Sequence, residues 1–222
     1  MPELPEVETT VRGLATVLDG EVLARVEPRR ADLRRPIPPD LRQRLTGARI
    51  TGLRRRAKYG MIDTDRGDTL VFHLGMSGRW RVDPAEIEKH DHLILETATG
   101  RLLALNDHRR FGSLDLMKSN MIADWPTFRA LGPEPLSDAF SAKVLQAAFE
   151  GRNAPIKSLL LDQRIVAGLG NIYVCEALYM ARIKPHKPAG QVATARLKPL
   201  VQAIKIFFLM IRRPPRSTLR DY

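Results

Sequence analysis

Cysteine is almost missing from this chain: Cys175 stands alone among 222 residues. A single thiol excludes an intrachain disulfide and any metal site built from several cysteines. It also makes a soluble, cytoplasmic protein of a reducing compartment the natural expectation. No apolar run is long enough to cross a bilayer, so no membrane partner is expected. The N-terminus lacks the basic stretch and apolar segment of a secretory signal. Acidic residues are scarce in one part only. Residues 1–150 hold 23 basic and 22 acidic side chains, whereas residues 151–222 hold 13 and 3. The formal charge of +11 therefore sits in the C-terminal third, and residues 151–206 alone still carry +7. This asymmetry points to a polyanionic partner, with a solvated basic surface as the plain alternative.

The pattern of apolar residues predicts an α+β chain. Val7, Val11, Leu14, Ala15 and Leu18 recur at helical spacing behind Pro5, which suits a first turn. Glu3, Glu6 and Glu8 lie near the start of that helix, where its dipole favours negative charge. From Val22 to Met117 the texture changes to short apolar runs broken by Gly, Asp and Pro, among them 22–26, 69–73, 92–96, 102–105 and 114–117. That spacing predicts an antiparallel β-sandwich or barrel, of which a two-layered sandwich is the expected form. Leu131–Ser137 (LGPEPLS) reads as a connector, after which the periodicity is helical throughout. One helix carries Val144, Leu145, Ala148 and Phe149, and the next Ile156, Leu159 and Leu160. A third is expected to bury Ile172, Cys175, Leu178 and Tyr179, and a fourth Leu197, Leu200, Val201 and Ile204, with Pro199 awkward near its start. Cys175 reads as a packed thiol. The expected division is a sandwich over 1–130, a helical domain over 131–206 and an atypical tail over 207–222.

Two local features carry chemistry. Met1 precedes a small residue, the usual condition for removal of an initiator methionine, which would leave Pro2 with a free secondary amine. An α-amino group titrates near ~8, so part of it is unprotonated and nucleophilic at neutral pH. Glu3 and Glu6 are neighbouring carboxylates able to move protons. Alternatively, Pro and Glu simply begin a helix well. The tight turn Gly168-Leu169-Gly170-Asn171 opens a helix and exposes backbone N–H groups to an anion, or merely punctuates the chain.

The opening MPELPEVET is followed by Arg54-Arg55-Arg56-Ala57-Lys58-Tyr59, HLGMSG at 73–78, KHDH at 89–92 and Asp107-His108-Arg109-Arg110-Phe111-Gly112. LGPEPLS at 131–137 and Gly168-Leu169-Gly170-Asn171-Ile172-Tyr173 complete the series. Seven collinear motifs across about 170 residues resemble the formamidopyrimidine-DNA glycosylases. Leu4 and the run Val7-Glu8-Thr9 set the chain apart from the related endonuclease VIII branch, whose fourth residue is typically glycine.

The resemblance implies a bifunctional glycosylase and abasic-site lyase for formamidopyrimidines and 8-oxoguanine in duplex DNA, working as a monomer on the bacterial nucleoid. It implies that the helical part is a helix-two-turn-helix domain. By resemblance Pro2 is the Schiff-base nucleophile, Glu3 the proton donor, Glu6 a supporting carboxylate and Lys58 a proton donor in β-elimination that also contacts phosphate. His90, Arg109 and Arg152 match DNA-contacting positions, Lys157 a basic position nearby, and Asn171 a phosphate-gripping residue. Met76, Arg109 and Phe111 match the trio that fills the gap left by an extruded base. Singly, Met76 and Phe111 would read as core residues. Filling matters because a hole in the base stack costs a few kcal/mol, and an apolar wedge beside a planar guanidinium suits it. The rival expectations are a truncated module that binds lesions without catalysis and an endonuclease VIII-like glycosylase for oxidised pyrimidines.

The resemblance departs at the end. The family continues with a lesion-capping loop and a four-cysteine zinc finger, for which this chain has no ligands, so neither metal nor other cofactor is expected in it. FFLMIRRPPR at 207–216 breaks the family pattern and reads as translated adapter sequence, while Ser217–Tyr222 resembles the family again.

Overall fold

The structure, a computed structural model, describes residues 2–211. They form two compact units: Pro2 with Glu6–Trp125, and Glu3–Pro5 with the chain from Pro126 onward.

The first unit contains most of helix α1 (Leu4–Leu18). Val7, Val11, Leu14 and Leu18 line its buried face at the predicted spacing. Strands β1 (Leu23–Pro28), β2 (Ile50–Arg56), β3 (Tyr59–Thr64), β4 (Asp68–His73), β5 (Arg79–Val82), β6 (Asp91–Thr97), β7 (Leu102–Asn106) and β8 (Ser113–Lys118) follow, with the short helix α2 (Leu41–Leu45) after β1. They make two four-stranded antiparallel sheets, ordered β1-β6-β7-β5 and β2-β3-β4-β8. Side chains of both sheets, α1 and α2 share one apolar core. At its centre Phe72 meets the fully buried Trp80 edge to face, with ring centroids 5.6 Å apart. The apolar runs read in sequence correspond to β1, β4, β6, β7 and β8. In β2 and β5 the alternation is hidden by Arg54, Arg55, Arg56, Arg79 and Arg81, and the apolar run of β3, Met61-Ile62, is too short to stand out.

The second unit is helical: α3 (Pro126–Arg129), α4 (Ala142–Phe149), α5 (Ile156–Leu161), α6 (Asn171–Met180) and α7 (Thr194–Ile211). Leu4 belongs to its core, beside Leu145, Phe149, Ile156, Leu160 and Leu200. Ser141 caps α4, its hydroxyl accepting the Val144 N–H. In α6 the predicted face is corrected. Val174, Ala177 and Leu178 are buried, whereas Ile172 and Tyr179 are 55% and 83% exposed and Cys175 is only half-buried. Val174, Ala177 and Leu178 share the side of α6 that packs into the helical core, so Ile172 and Tyr179 face away from it. Helix α7 accommodates Pro199 and buries Leu197, Leu200, Val201 and Ile204 as their spacing predicts. It runs on past residue 206, and Phe208 is buried with its ring 5.7 Å from that of Tyr173. Pro214-Pro215-Arg216 and Ser217–Tyr222 lie outside the described residues. No described helix is long and apolar enough to cross a membrane.

Candidate functional site

In the second unit, Glu3 and the glycine turn form one structure. The Glu3 carboxylate is buried and accepts the backbone N–H groups of Gly170 (2.8 Å), Ile172 (2.8 Å) and Tyr173 (3.3 Å) at the start of α6. The first N–H groups of a helix have no partner within it, and the helix dipole favours negative charge there. The anion anticipated at this turn is therefore the protein's own Glu3. Gly170 is required by proximity: a Cβ there would lie 2.4 Å from the Glu3 carboxyl carbon. Gly168 adopts a φ of +91°, and its carbonyl accepts the Leu4 N–H at 3.0 Å. These contacts fix Glu3 and Leu4 after it, and bring Glu3 beside Asn171, which is exposed as the first residue of α6. Arg152, exposed in the α4–α5 connection, and Lys157, half-buried in α5, make no side-chain hydrogen bond among the described residues.

In the first unit, Pro2 is half-buried ahead of α1, and Glu6 is exposed in its first turn. Lys58 is buried in the two-residue turn joining β2 and β3, where Arg56 faces Tyr59. Ala57 in this turn has a φ of +53°, a left-handed conformation that costs a non-glycine residue roughly 1–2 kcal/mol. Arg55 compensates: it donates to the Ala57 carbonyl at 2.9 Å and to the Glu8 carboxylate of α1 at 2.8 Å. Burial pushes the Glu8 carboxyl up, but Arg55 and Arg12 outweigh it and hold it below its usual range. Beside Lys58, burial and the charges of Lys58, Arg34 and Arg35 push His73 down to about 4. His73 is thus neutral at pH 7, and its Nδ1 accepts the Gly75 N–H at 3.0 Å, leaving the proton on Nε2.

Two loops of the same unit carry Met76, Arg109 and Phe111: residues 74–78 the first and residues 107–112 the other two, with Met76 and Phe111 each 43% exposed. The Arg109 guanidinium carbon lies 4.7 Å from the Phe111 ring centroid, a cation–π stack. Gly75, at φ +62°, lets the loops touch, since a Cβ there would stand 2.3 Å from the Phe111 carbonyl carbon. His90 is half-buried nearby, its ring 6.4 Å from that of His108. Three groups not singled out in the sequence hold this region: Asp91, Asp107 and Ser77. Fully buried Asp91 takes hydrogen bonds from Arg81 (2.8 Å), Asn106 (2.9 Å) and the Glu88 N–H (2.7 Å). Their signal was present as an acid and a hydroxyl inside the KHDH, DHRRFG and HLGMSG motifs. A buried acid can be told from an exposed one only once its partners are placed.

No group of three or more His, Cys, Asp or Glu among the described residues is arranged to hold a metal. One half-buried cysteine does not fit a four-cysteine zinc finger.

The comparisons agree with the geometry. Residues 1–114 match the model for the formamidopyrimidine-DNA glycosylase N-terminal domain, and residues 131–210 the model for the H2TH domain of the same enzymes. Formamidopyrimidine-DNA glycosylases of Novosphingobium aromaticivorans and Rhizorhabdus wittichii are each 64% identical over the whole of this chain, which covers 82% of either relative. A wild-type Lactococcus lactis Fpg (MutM), solved in complex with DNA containing N7-benzyl-Fapy-dG, superposes with a TM-score of 0.90 at 32% identity, covering 99% of this chain and 82% of that one. The Lactococcus lactis Fpg in complex with DNA containing an abasic site gives a TM-score of 0.88 at 33% identity, covering 98% and 81%.

Proposed function

The chain belongs to the formamidopyrimidine-DNA glycosylase family, a DNA glycosylase of base excision repair acting on oxidised purines, and from that membership we propose how its residues divide the work. The Pro2 nitrogen attacks the sugar C1′ of the damaged nucleotide. The bond to the base breaks and the base leaves with that electron pair, while loss of the amine proton and opening of the sugar ring yield an iminium between Pro2 and C1′. Glu3 supplies the proton to the opening ring, with Glu6 supporting it. The iminium acidifies the sugar C2′ hydrogen; water takes that proton, the 3′ phosphate departs by β-elimination and the 5′ phosphate by δ-elimination, with Lys58 as proton donor to the leaving group. Hydrolysis of the iminium then releases Pro2.

Asn171 grips a phosphate and His90, Arg152 and Lys157 lie against the DNA, while Met76, Arg109 and Phe111 occupy the space of the extruded base. The protein acts as a monomer in the bacterial cytoplasm, on nucleoid DNA. The two wedge loops carry this reading. They hold two large apolar side chains exposed and stack a guanidinium on one of them, which is the chemistry of base-stack insertion rather than of a protein core. A duplex with a single 8-oxoguanine tests it: incubation with the 222-residue chain should release the base and cut the strand on both sides of the lesion. An intact strand after prolonged single-turnover incubation would reject the enzymatic reading and leave a binding module.

A further inference from the structure

Two loops of different origin must stay in register if Met76, Arg109 and Phe111 are to enter a base stack together. One buried carboxylate performs that task. Asp107 is 1% exposed. Its Oδ1 accepts the Ser77 hydroxyl at 2.5 Å and its Oδ2 the Gly112 N–H at 2.8 Å. The Ser77 oxygen in turn accepts the Arg109 N–H at 3.2 Å. The main chain of the same residue extends the tie: the Asp107 N–H donates to the His90 carbonyl at 3.0 Å. Its carbonyl lies 2.9 Å from His92 Nε2. Thus one side chain spans the Met76 loop and both ends of the Arg109–Phe111 loop, while its backbone fixes the strand end bearing His90.

We infer that Asp107 is a positioning residue, which holds the Met76 and Arg109–Phe111 loops in one register before DNA arrives. The inference rests on the reading of these loops as a wedge. A carboxylate is suited to the place because both oxygens must accept at once. Asparagine there keeps the shape but offers one acceptor. If it serves Gly112, its NH₂ faces a Ser77 oxygen that already accepts from Arg109, and the Ser77 hydroxyl proton loses its partner. The loops then separate without any change to Pro2, Glu3 or Lys58.

The test uses the full 222-residue chain and its Asp107→Asn, Ser77→Ala and Ser77→Thr variants on two duplexes. One carries 8-oxoguanine opposite a 2-aminopurine probe, and the other a preformed abasic site. Misplacing the wedge should slow base excision and the fluorescence change about ten- to hundredfold in Asp107→Asn and Ser77→Ala. Ser77→Thr, which keeps the hydroxyl, should retain most of both signals. Borohydride trapping on the abasic duplex should stay within about twofold of the parent, since no damaged base must be extruded there. Equal losses on both duplexes, or excision unchanged in Asp107→Asn and Ser77→Ala, would overturn the inference. A parent chain inactive on both duplexes would instead sink the functional reading, and the inference with it.

Discussion

Gly170→Ala should uncouple Glu3 from helix α6, and its cost can be worked from the contacts. An added Cβ would meet the Glu3 carboxyl carbon at 2.4 Å and its Cγ and Oε1 at 2.6 Å. These atoms end a flexible side chain, so the clash is relieved by moving Glu3 rather than the backbone. Movement forfeits three hydrogen bonds, from Gly170, Ile172 and Tyr173. A hydrogen bond contributes about 0.5–1.5 kcal/mol net, and a buried donor left unmatched costs more. The N–H groups at a helix start regain some water, which leaves a loss of about 2–4 kcal/mol. Urea unfolding of the parent, Gly170→Ala, Glu3→Ala and the double variant would measure it. Once Glu3 is gone, the extra methyl has nothing to displace, so the second substitution should cost less than about 1 kcal/mol. Additive costs, or a Gly170→Ala variant as stable as the parent, would refute the reasoning.

Stability should also fall with acid in a window set by His73. Its folded value near 4 lies below the ordinary 6.5, so between those pH values the unfolded chain binds a proton that the folded chain refuses. Stability is therefore complete above pH 6.5 and drops by about 3 kcal/mol as pH falls to 4, with buried His92, also shifted down by burial, acting in the same direction. His73→Asn, which retains an acceptor for the Gly75 N–H, should flatten that slope in denaturant titrations across pH 4–7, and an unchanged slope would count against it. Lys58→Ala should slow strand scission about a hundredfold while weakening abasic-site binding far less; parallel losses in a filter-binding and cleavage comparison would make Lys58 a phosphate clamp.

Much of this was legible in the sequence where periodicity and burial coincide. The α1 stripe, five strands of the sandwich and the buried positions of α7 follow from spacing alone. Helix α6 was misread because Ile172 and Tyr179 look like core residues, yet Val174, Ala177 and Leu178 share the side that packs into the helical core. Strands β2 and β5 are obscured by arginines that pair with acids such as Asp63 and Asp91, and β3 by the shortness of its apolar run, Met61-Ile62. At the site, the motifs located Glu3, Lys58 and the wedge residues in the chain but not their partners. That Glu3 is the anion of the Gly170 turn depends on hydrogen bonds spanning 167 to 170 positions. That Asp107 ties two loops depends equally on tertiary geometry, and a short-range pattern contains neither.

The nucleophile of the proposed reaction is the secondary amine of residue 2. Borohydride reduction of the protein mixed with an abasic-site duplex, followed by proteolysis and mass mapping, tests it directly. One covalent adduct is expected, carried by the peptide beginning at Pro2 and absent when that amine is blocked. An adduct on Lys58 or another lysine, with Pro2 unmodified, would contradict it.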